Sequence, residues 1–233
     1  MHIYDGQFLS EMKDRFEMDL VGAVAVDSAA SPELERRVHS LLPDARSVVV
    51  FAREIYQEVV DLLRPGNEAG EAHGGDLLPV HSEYLNGRLN RAVHELAGYF
   101  RRQGYRSLTL PAIAPTDQRF QEGLLSYKHV AEYAGMGTIG WHSMLITEQF
   151  GPRVRLACVL TEAPVESTHR SFTVSCIGCG ACIESCPAKA LQMPNGEAYS
   201  MNKFACRTYR QAGMTCSVCM KVCDEVLRKG GSI

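Results

Sequence analysis

Eight of the chain's nine cysteines lie between Cys176 and Cys223, spaced as metal ligands are rather than as the bridges of a secreted scaffold. The first group, CIGCGACIESCP, reads Cys176-x2-Cys179-x2-Cys182-x3-Cys186-Pro187. This is the bacterial ferredoxin run, in which closely spaced thiolates wrap one face of an iron–sulfur cube and the fourth Cys reaches a second cluster. The second group is Cys206, then Cys216-x2-Cys219-x3-Cys223. If the two groups exchange their last ligands, one [4Fe–4S] cluster takes Cys176, Cys179, Cys182 and Cys223, and the other takes Cys206, Cys216, Cys219 and Cys186. Paired C-x2-C also builds tetrahedral zinc sites. Three cysteines at successive x2 spacing followed by Cys-Pro favour iron–sulfur. The second group departs from the ferredoxin pattern through the nine-residue gap after Cys206 and through Asp224, where Pro would follow. Cys158 stands apart in the apolar run VRLACVLT and reads as a buried, inert thiol.

Thiolate clusters need a scaffold and an electron acceptor, so the remaining chain matters. At 233 residues, 45% hydrophobic and 22% charged, it can bury a real core as one domain or as a domain plus a small module. The net charge of −3 gives no general attraction to nucleic acid, so transfer RNA as a partner has no support from charge. The N-terminus MHIYDGQFLSEMKDRF is broken by charges every few residues and holds neither a signal peptide nor a membrane span, which places the chain in the cytoplasm. There thiols stay reduced, in keeping with metal or catalysis rather than disulfides.

Helix-like and strand-like segments alternate before the cysteines. FLSEMKDRFEM (8–18), ELERRVHSLL behind Ser31-Pro32, and 81–104 ending on Gly104 space their apolar residues helically. VGAVAV, SVVVFAR, SLTL, MLIT and VRLACVLT are the strand candidates. The pattern predicts an α/β or α+β layer domain over 1–170 and a two-cluster ferredoxin-like module over 171–233. PGNEAGEAHGGD (65–76) reads as a polar loop or lid. AGMGTIGW (134–141) spells G-x-G-x-x-G, but a helical segment precedes it and a strand follows it. A dinucleotide-binding turn needs the opposite order, with the pyrophosphate on a helix N-terminus.

The segment HVAEYAGMGTIGWHSMLITEQFGPRVRLACVLTEAP (129–164), followed by the ferredoxin run and by Cys206 ahead of CSVCMKVC, resembles the epoxyqueuosine reductases and their relatives, the corrinoid reductive dehalogenases. The likeness covers roughly 105–228. It implies a nitroreductase-like α/β domain carrying base-off cobalamin, with the two-[4Fe–4S] module beside the corrin and reduced ferredoxin or flavodoxin as electron donor. It also implies that Gly135, Gly137, Gly140, Trp141, His142 and Ser143 lie against the cofactor. No Asp-x-His-x-x-Gly element is present to supply a cobalt-ligating His, in keeping with a base-off corrin.

In that family an Asp before a small-Pro step is the expected acid at the substrate. Here PAIAP (111–115) places Ala112 or Ile113 there, which leaves Asp117, Tyr127 and His129 as proton sources, with Lys128 as an anion-binding companion. A Tyr could donate if a neighbouring cation lowered its pKa. The chain ends at Ile233, without the helical-repeat extension of longer epoxyqueuosine reductases. The expected activity is a cobalamin-dependent reduction of a small or nucleoside-like substrate. The alternatives are an FMN-dependent iron–sulfur reductase, since nitroreductase-like domains ordinarily bind FMN, and an electron-transfer or corrinoid-activating protein without a substrate of its own.

Overall fold

The computed structural model describes residues 3–26, 31–64, 74–168, 174–212 and 216–230. Most of the Gly-rich stretch 65–76 and the expected domain boundary at 170/171 lie outside the described residues. The chain forms two compact units, neither of them one continuous stretch. Unit 1 comprises Met1–Arg53, Leu85–Met136 and Arg155–Phe172; unit 2 comprises Glu54–Tyr84, Gly137–Val154 and Thr173–Ile233.

Unit 1 is built on a four-stranded sheet in the order β1-β2-β8-β3, from β1 (Leu20–Ala25), β2 (Ser47–Glu54), β8 (Val154–Thr161) and β3 (Ser107–Leu110). β1 runs antiparallel to β2, with Ala23 opposite Val49, and β3 runs antiparallel to β8, with Leu110 opposite Cys158. The backbone bonds Arg46 N–H to Thr161 O and Ile55 N–H to Arg153 O close β2 against β8 in the same sense. Alternation separates two faces. Val21, Ala23, Val49, Phe51, Ala157 and Val159 bury one face against Leu9 and Met12 of α1 (Gly6–Arg15) and against Leu89, Val93, Leu96 and Phe100 of α4 (Leu77–Arg102). Asp5 caps α1 by accepting from Phe8 N–H. At α2 (Pro32–Leu41) Pro32 takes the first helical position, but Ser31 makes no side-chain cap bond.

The opposite face receives α5 (Tyr127–Tyr133), because β1 carries Gly22 there: a Cβ on Gly22 would lie 2.8 Å from Ala134 Cβ and 2.9 Å from Met136 Cγ. Cys158, fully buried in β8, has its thiol pKa pushed up by burial and is an electrostatic neighbour of Tyr127.

Unit 2 holds the C-terminal cysteines. The β6 (Thr138–Ile139) and β7 (Leu145–Ile146) hairpin precedes them in sequence. They are carried by the loop before α6 (Ala181–Glu184), by α6 itself, by α7 (Lys203–Gln211) and by α8 (Val218–Arg228), with the β9 (Leu191–Gln192) and β10 (Ser200–Met201) hairpin between. Among the described residues no helix is long and apolar enough to cross a membrane.

Candidate functional site

The ferredoxin run forms a tight loop because its glycines take conformations that other residues avoid. Gly178 has φ 70° and Gly180 φ 78°, so the chain reverses between Cys176 and α6 without a Cβ penalty. Cys182 and Cys186 are buried with Ala190 and Leu191, and Trp141, Ile183, Met201, Ala205, Cys206, Cys219 and Val222 pack around them. α6 packs on α8. All nine cysteines are free thiols.

The electrostatic neighbours of Cys182, Cys206, Cys219 and Cys223 tie these four to the other thiols. Burial first, then Cys176 and Cys179, push Cys182 up to about 11. Cys223 is raised chiefly by burial, then by Cys182, Cys176 and Cys179. Cys219, pushed up to about 12 by burial, has Cys216, Cys206 and Cys186 as its stronger thiol neighbours and Cys182 as its weakest. Burial raises Cys206 too; Arg210 opposes this, while Cys216 and Cys186 add to it. Cys182 and Cys223 thus neighbour Cys176 and Cys179, and Cys206 and Cys219 neighbour Cys186 and Cys216, with Cys182 also reaching Cys219. α8 serves both groups, because Cys219 and Cys223 sit one turn apart on one helical face. Ala190 N–H donates to Cys186 Sγ at 3.3 Å, a contact of the kind that tunes cluster potentials. Among the described residues no three His, Cys, Asp or Glu side chains are gathered for a single metal ion. Eight soft thiols in apolar surroundings suit iron–sulfur clusters.

Sequence reasoning missed what holds α8. Asp224, in the place of the usual Pro, is 3% exposed and accepts from the buried Arg153 Nε at 2.8 Å. Arg153 also donates through Nη1 to Glu54 Oε1 at 2.6 Å and to the Ile55 carbonyl at 2.8 Å. Arg228 Nε lies 2.9 Å from Asp224 Oδ2, an ion pair not aligned as a hydrogen bond. Lys221 donates to the Asp61 and Leu63 carbonyls at the end of α3 (Gln57–Asp61). The charged residues spaced three and four apart on α8 were the available signal, but their partners are distant in sequence.

Asp224→Asn should lower unfolding stability by about 3 kcal/mol, the lower end for breaking a buried pair, since Glu54 stays on Arg153. Arg228→Gln, at a half-exposed position, should cost under about 1 kcal/mol. Anaerobic denaturant titration checks both, and equal effects would contradict the buried-pair account.

The six residues around the glycine turn divide by what they touch. Gly135, φ 67°, terminates α5: its N–H bonds to Glu132 O while Met136 N–H bonds to Ala131 O, the paired bonds of a Schellman cap. Gly137 is buried, and a Cβ there would lie 2.1 Å from the Ile146 carbonyl oxygen. At Gly140 a Cβ would meet His142 Cε1 and Ile146 Cδ1, both at 2.8 Å. The chain's own packing therefore excludes a Cβ at Gly137 and crowds one at Gly140, while Gly135 serves the helix cap. His142 is buried and accepts Met144 N–H at Nδ1, 3.0 Å away. Trp141 and Ser143 keep partly accessible side chains. Trp141 lies against the cysteine loop, since a Cβ on Gly178 would be 3.2 Å from its Cη2 and Cζ2. Ser143, φ 66°, donates to Met201 Sδ at 3.4 Å.

The candidate proton sources belong to unit 1. Asp117, in β4 (Thr116–Asp117), accepts from the Arg119 side chain and backbone, which hold its carboxyl below the usual range. Tyr127 donates its hydroxyl to the Pro111 carbonyl at 2.9 Å, and burial followed by Cys158 raises its pKa, so no cation lowers it. Burial, then Lys128, holds His129 below its ordinary value. Ala112 of PAIAP donates its N–H to Asn90 Oδ1.

The 4Fe-4S binding domain matches residues 174–192. A tetrachloroethene reductive dehalogenase of Desulfitobacterium hafniense is 30% identical over 116 residues, 41% of this chain and 21% of that protein. An epoxyqueuosine reductase of Bacillus cereus is 28% identical over 162 residues, 69% of this chain and 40% of that protein. The chain is a relative of both. It spans well under half the length of either. Among solved structures, a reductive dehalogenase described with a mechanism of B12-dependent dehalogenation superposes with a TM-score of 0.70 at 18% identity, over 93% of this chain and 31% of the other. An epoxyqueuosine reductase from Streptococcus thermophilus reaches a TM-score of 0.52 at 15% identity, over 88% and 57% of the two chains. These likenesses give a mixed α/β fold carrying a 4Fe–4S motif; the relatives' names are those of reductases.

Proposed function

We propose that the chain is a cobalamin-dependent iron–sulfur reductase that passes low-potential electrons through two [4Fe–4S] clusters to a base-off corrin, which reduces a small or nucleoside-like substrate. The observation that supports this reading is that Cys176 and Cys179 neighbour both Cys182 and Cys223, while Cys186 and Cys216 neighbour both Cys206 and Cys219, with Trp141 laid on the loop of the first group. Cys176, Cys179, Cys182 and Cys223 hold the cluster beside Trp141, and Cys186, Cys206, Cys216 and Cys219 hold the other. Bound cobalamin would supply a strongly reducing cobalt centre, and a low-potential cluster suits its reduction.

The glycine turn gives partial support to a corrin. Its buried glycines and His142 shape the segment, and Trp141 and Ser143 are the residues with side-chain surface to offer the cofactor. Proton delivery falls to the group of Asp117, Tyr127 and His129. Tyr127 keeps its proton at neutral pH, whereas Asp117 is ionised beside Arg119. The domain bearing these groups is read as nitroreductase-like, and the chain as an oxidoreductase of the cytoplasm.

The test is anaerobic reconstitution with iron and sulfide, then titration with cobalamin and separately with FMN. The expected result is a saturable corrin spectral change at one equivalent, seen beneath the broad iron–sulfur absorption, and no flavin uptake. Stoichiometric FMN binding without corrin binding would overturn the cobalamin reading in favour of a flavin reductase. Failure to bind either would leave an electron-transfer protein.

A further inference from the structure

α7 departs from the rest of this acidic chain. Lys203, Arg207 and Arg210 recur at i, i+4 and i+7, which sets three cations along one side of the helix, and the helix contains no Asp or Glu. The whole chain carries a net charge of −3, so this positive stripe is local. Next to it Phe204 is 52% exposed, a large apolar side chain facing solvent. Ala205 and Cys206 pack against the buried cysteine core, and helical spacing puts Cys206 on the flank of the stripe, about 60° around the helix from Lys203. Arg210, one turn beyond Cys206, is an electrostatic neighbour of its thiol. The helix is fixed there at its start: Asn202 caps it by accepting Ala205 N–H at 3.0 Å, and Asn202 N–H bonds to Ala190 O at 2.8 Å.

We propose that this face of α7 is the docking surface for an acidic one-electron donor protein of the ferredoxin type, which delivers electrons to the cluster held by Cys186, Cys206, Cys216 and Cys219. The inference rests on the two-cluster reading above and adds to it the point of electron entry. A basic stripe speeds the encounter with an acidic partner, and an exposed aromatic at its edge provides the apolar contact that holds an encounter complex. The short helix then brings the donor beside the Cys206 thiol on the flank of the same stripe. The step forms and breaks no bond: the donor's cluster is oxidised by one electron, and the cluster at Cys206 is reduced by one. An RNA occupant is less well matched, because three cations neutralise few phosphates beside the six to ten contacts of a strong nucleic-acid binder.

Anaerobic stopped-flow mixing with a reduced acidic [2Fe–2S] ferredoxin tests the proposal, with the visible bleaching of the clusters as readout and dithionite as a small-molecule reductant for comparison. In the wild type the second-order rate should fall roughly tenfold or more as ionic strength rises from low to about 0.5 M, as surface charges are screened. Lys203→Glu with Arg207→Glu should be about tenfold slower at low salt and nearly insensitive to salt. Its iron content should be unchanged, and its dithionite rate at about 0.5 M salt, where the charge on this anionic reductant is screened, should match the wild type. Phe204→Ala should weaken ferredoxin binding measured by interferometry while keeping the wild-type salt dependence.

Reduction of the double charge variant by ferredoxin at the wild-type rate and salt slope would overturn the proposal. So would a variant that loses affinity for an RNA stem-loop but not its reduction by ferredoxin. Iron is measured before mixing: a wild type holding one cluster or none refutes the two-cluster reading itself, and a full complement with an inert α7 face refutes only the docking surface.

Discussion

Replacing Cys223 with Ala should remove the same cluster as replacing Cys179, although one residue sits on the last helix and the other in the ferredoxin loop. In the proposed ligand sets both thiols hold the cluster around Cys182, so each loss leaves that cube with three protein ligands. Iron should fall from about eight to about four per chain in either variant, and the double variant should lose little more. Cys186→Ala and Cys219→Ala should together define the other cluster, since Cys186 neighbours Cys206 and Cys219. The module should also lose much of its stability, because ligand binding and folding are one equilibrium in small metal-bound domains. Colorimetric iron and sulfide, with electron paramagnetic resonance of the reduced protein, distinguish the outcomes. If Cys186→Ala removed the cluster that Cys182→Ala removes, the ligand exchange would be wrong. Zinc in place of iron would end the iron–sulfur reading.

Gly137→Ala should abolish folding of the hairpin segment and leave little soluble protein. The added Cβ would fall 2.1 Å from the Ile146 carbonyl oxygen and 3.1 Å from Thr147 Cα, and a backbone atom cannot rotate aside. The cost should exceed the roughly 1–3 kcal/mol of ordinary overpacking. Gly137 is not among the positive-φ glycines, so the obstruction is steric rather than conformational. Gly140→Ala meets side-chain atoms of His142 and Ile146, which can move, and should be milder. Circular dichroism and the soluble yield after anaerobic purification measure this. A folded Gly137→Ala protein with a normal iron–sulfur spectrum and only cofactor binding lost would show instead that the position's main demand comes from a ligand.

The strands VRLACVLT and SLTL were legible to the residue, because short apolar-rich runs bounded by charges and turn residues read as strands whether buried, as most of VRLACVLT is, or half-buried, as most of SLTL is. The start of α4 was not: it begins at Leu77, ahead of the polar segment that suggested it. The glycine turn was readable as something other than a dinucleotide site from its order alone. What each glycine meets was not, since Ile146 and His142 reach Gly137 and Gly140 only after the β6–β7 hairpin closes. Tyr127 shows the same limit, as its hydroxyl partner Pro111 and its electrostatic neighbour Cys158 come from other elements.

The identity and spacing of the thiols are local properties, so the sequence by itself determined that the Cys176–Cys186 segment is a ferredoxin-like 4Fe–4S run and that an α/β layer precedes it. The exchange of last ligands between the two groups was also read from the spacing, whereas the packing of α6 on α8, which brings the Cys182 segment beside that of Cys223, belongs to the tertiary structure. Only the tertiary structure could decide why Asp224 replaces Pro. A buried carboxylate is stable when a buried guanidinium meets it, and Arg153 arrives from a segment far earlier in the chain.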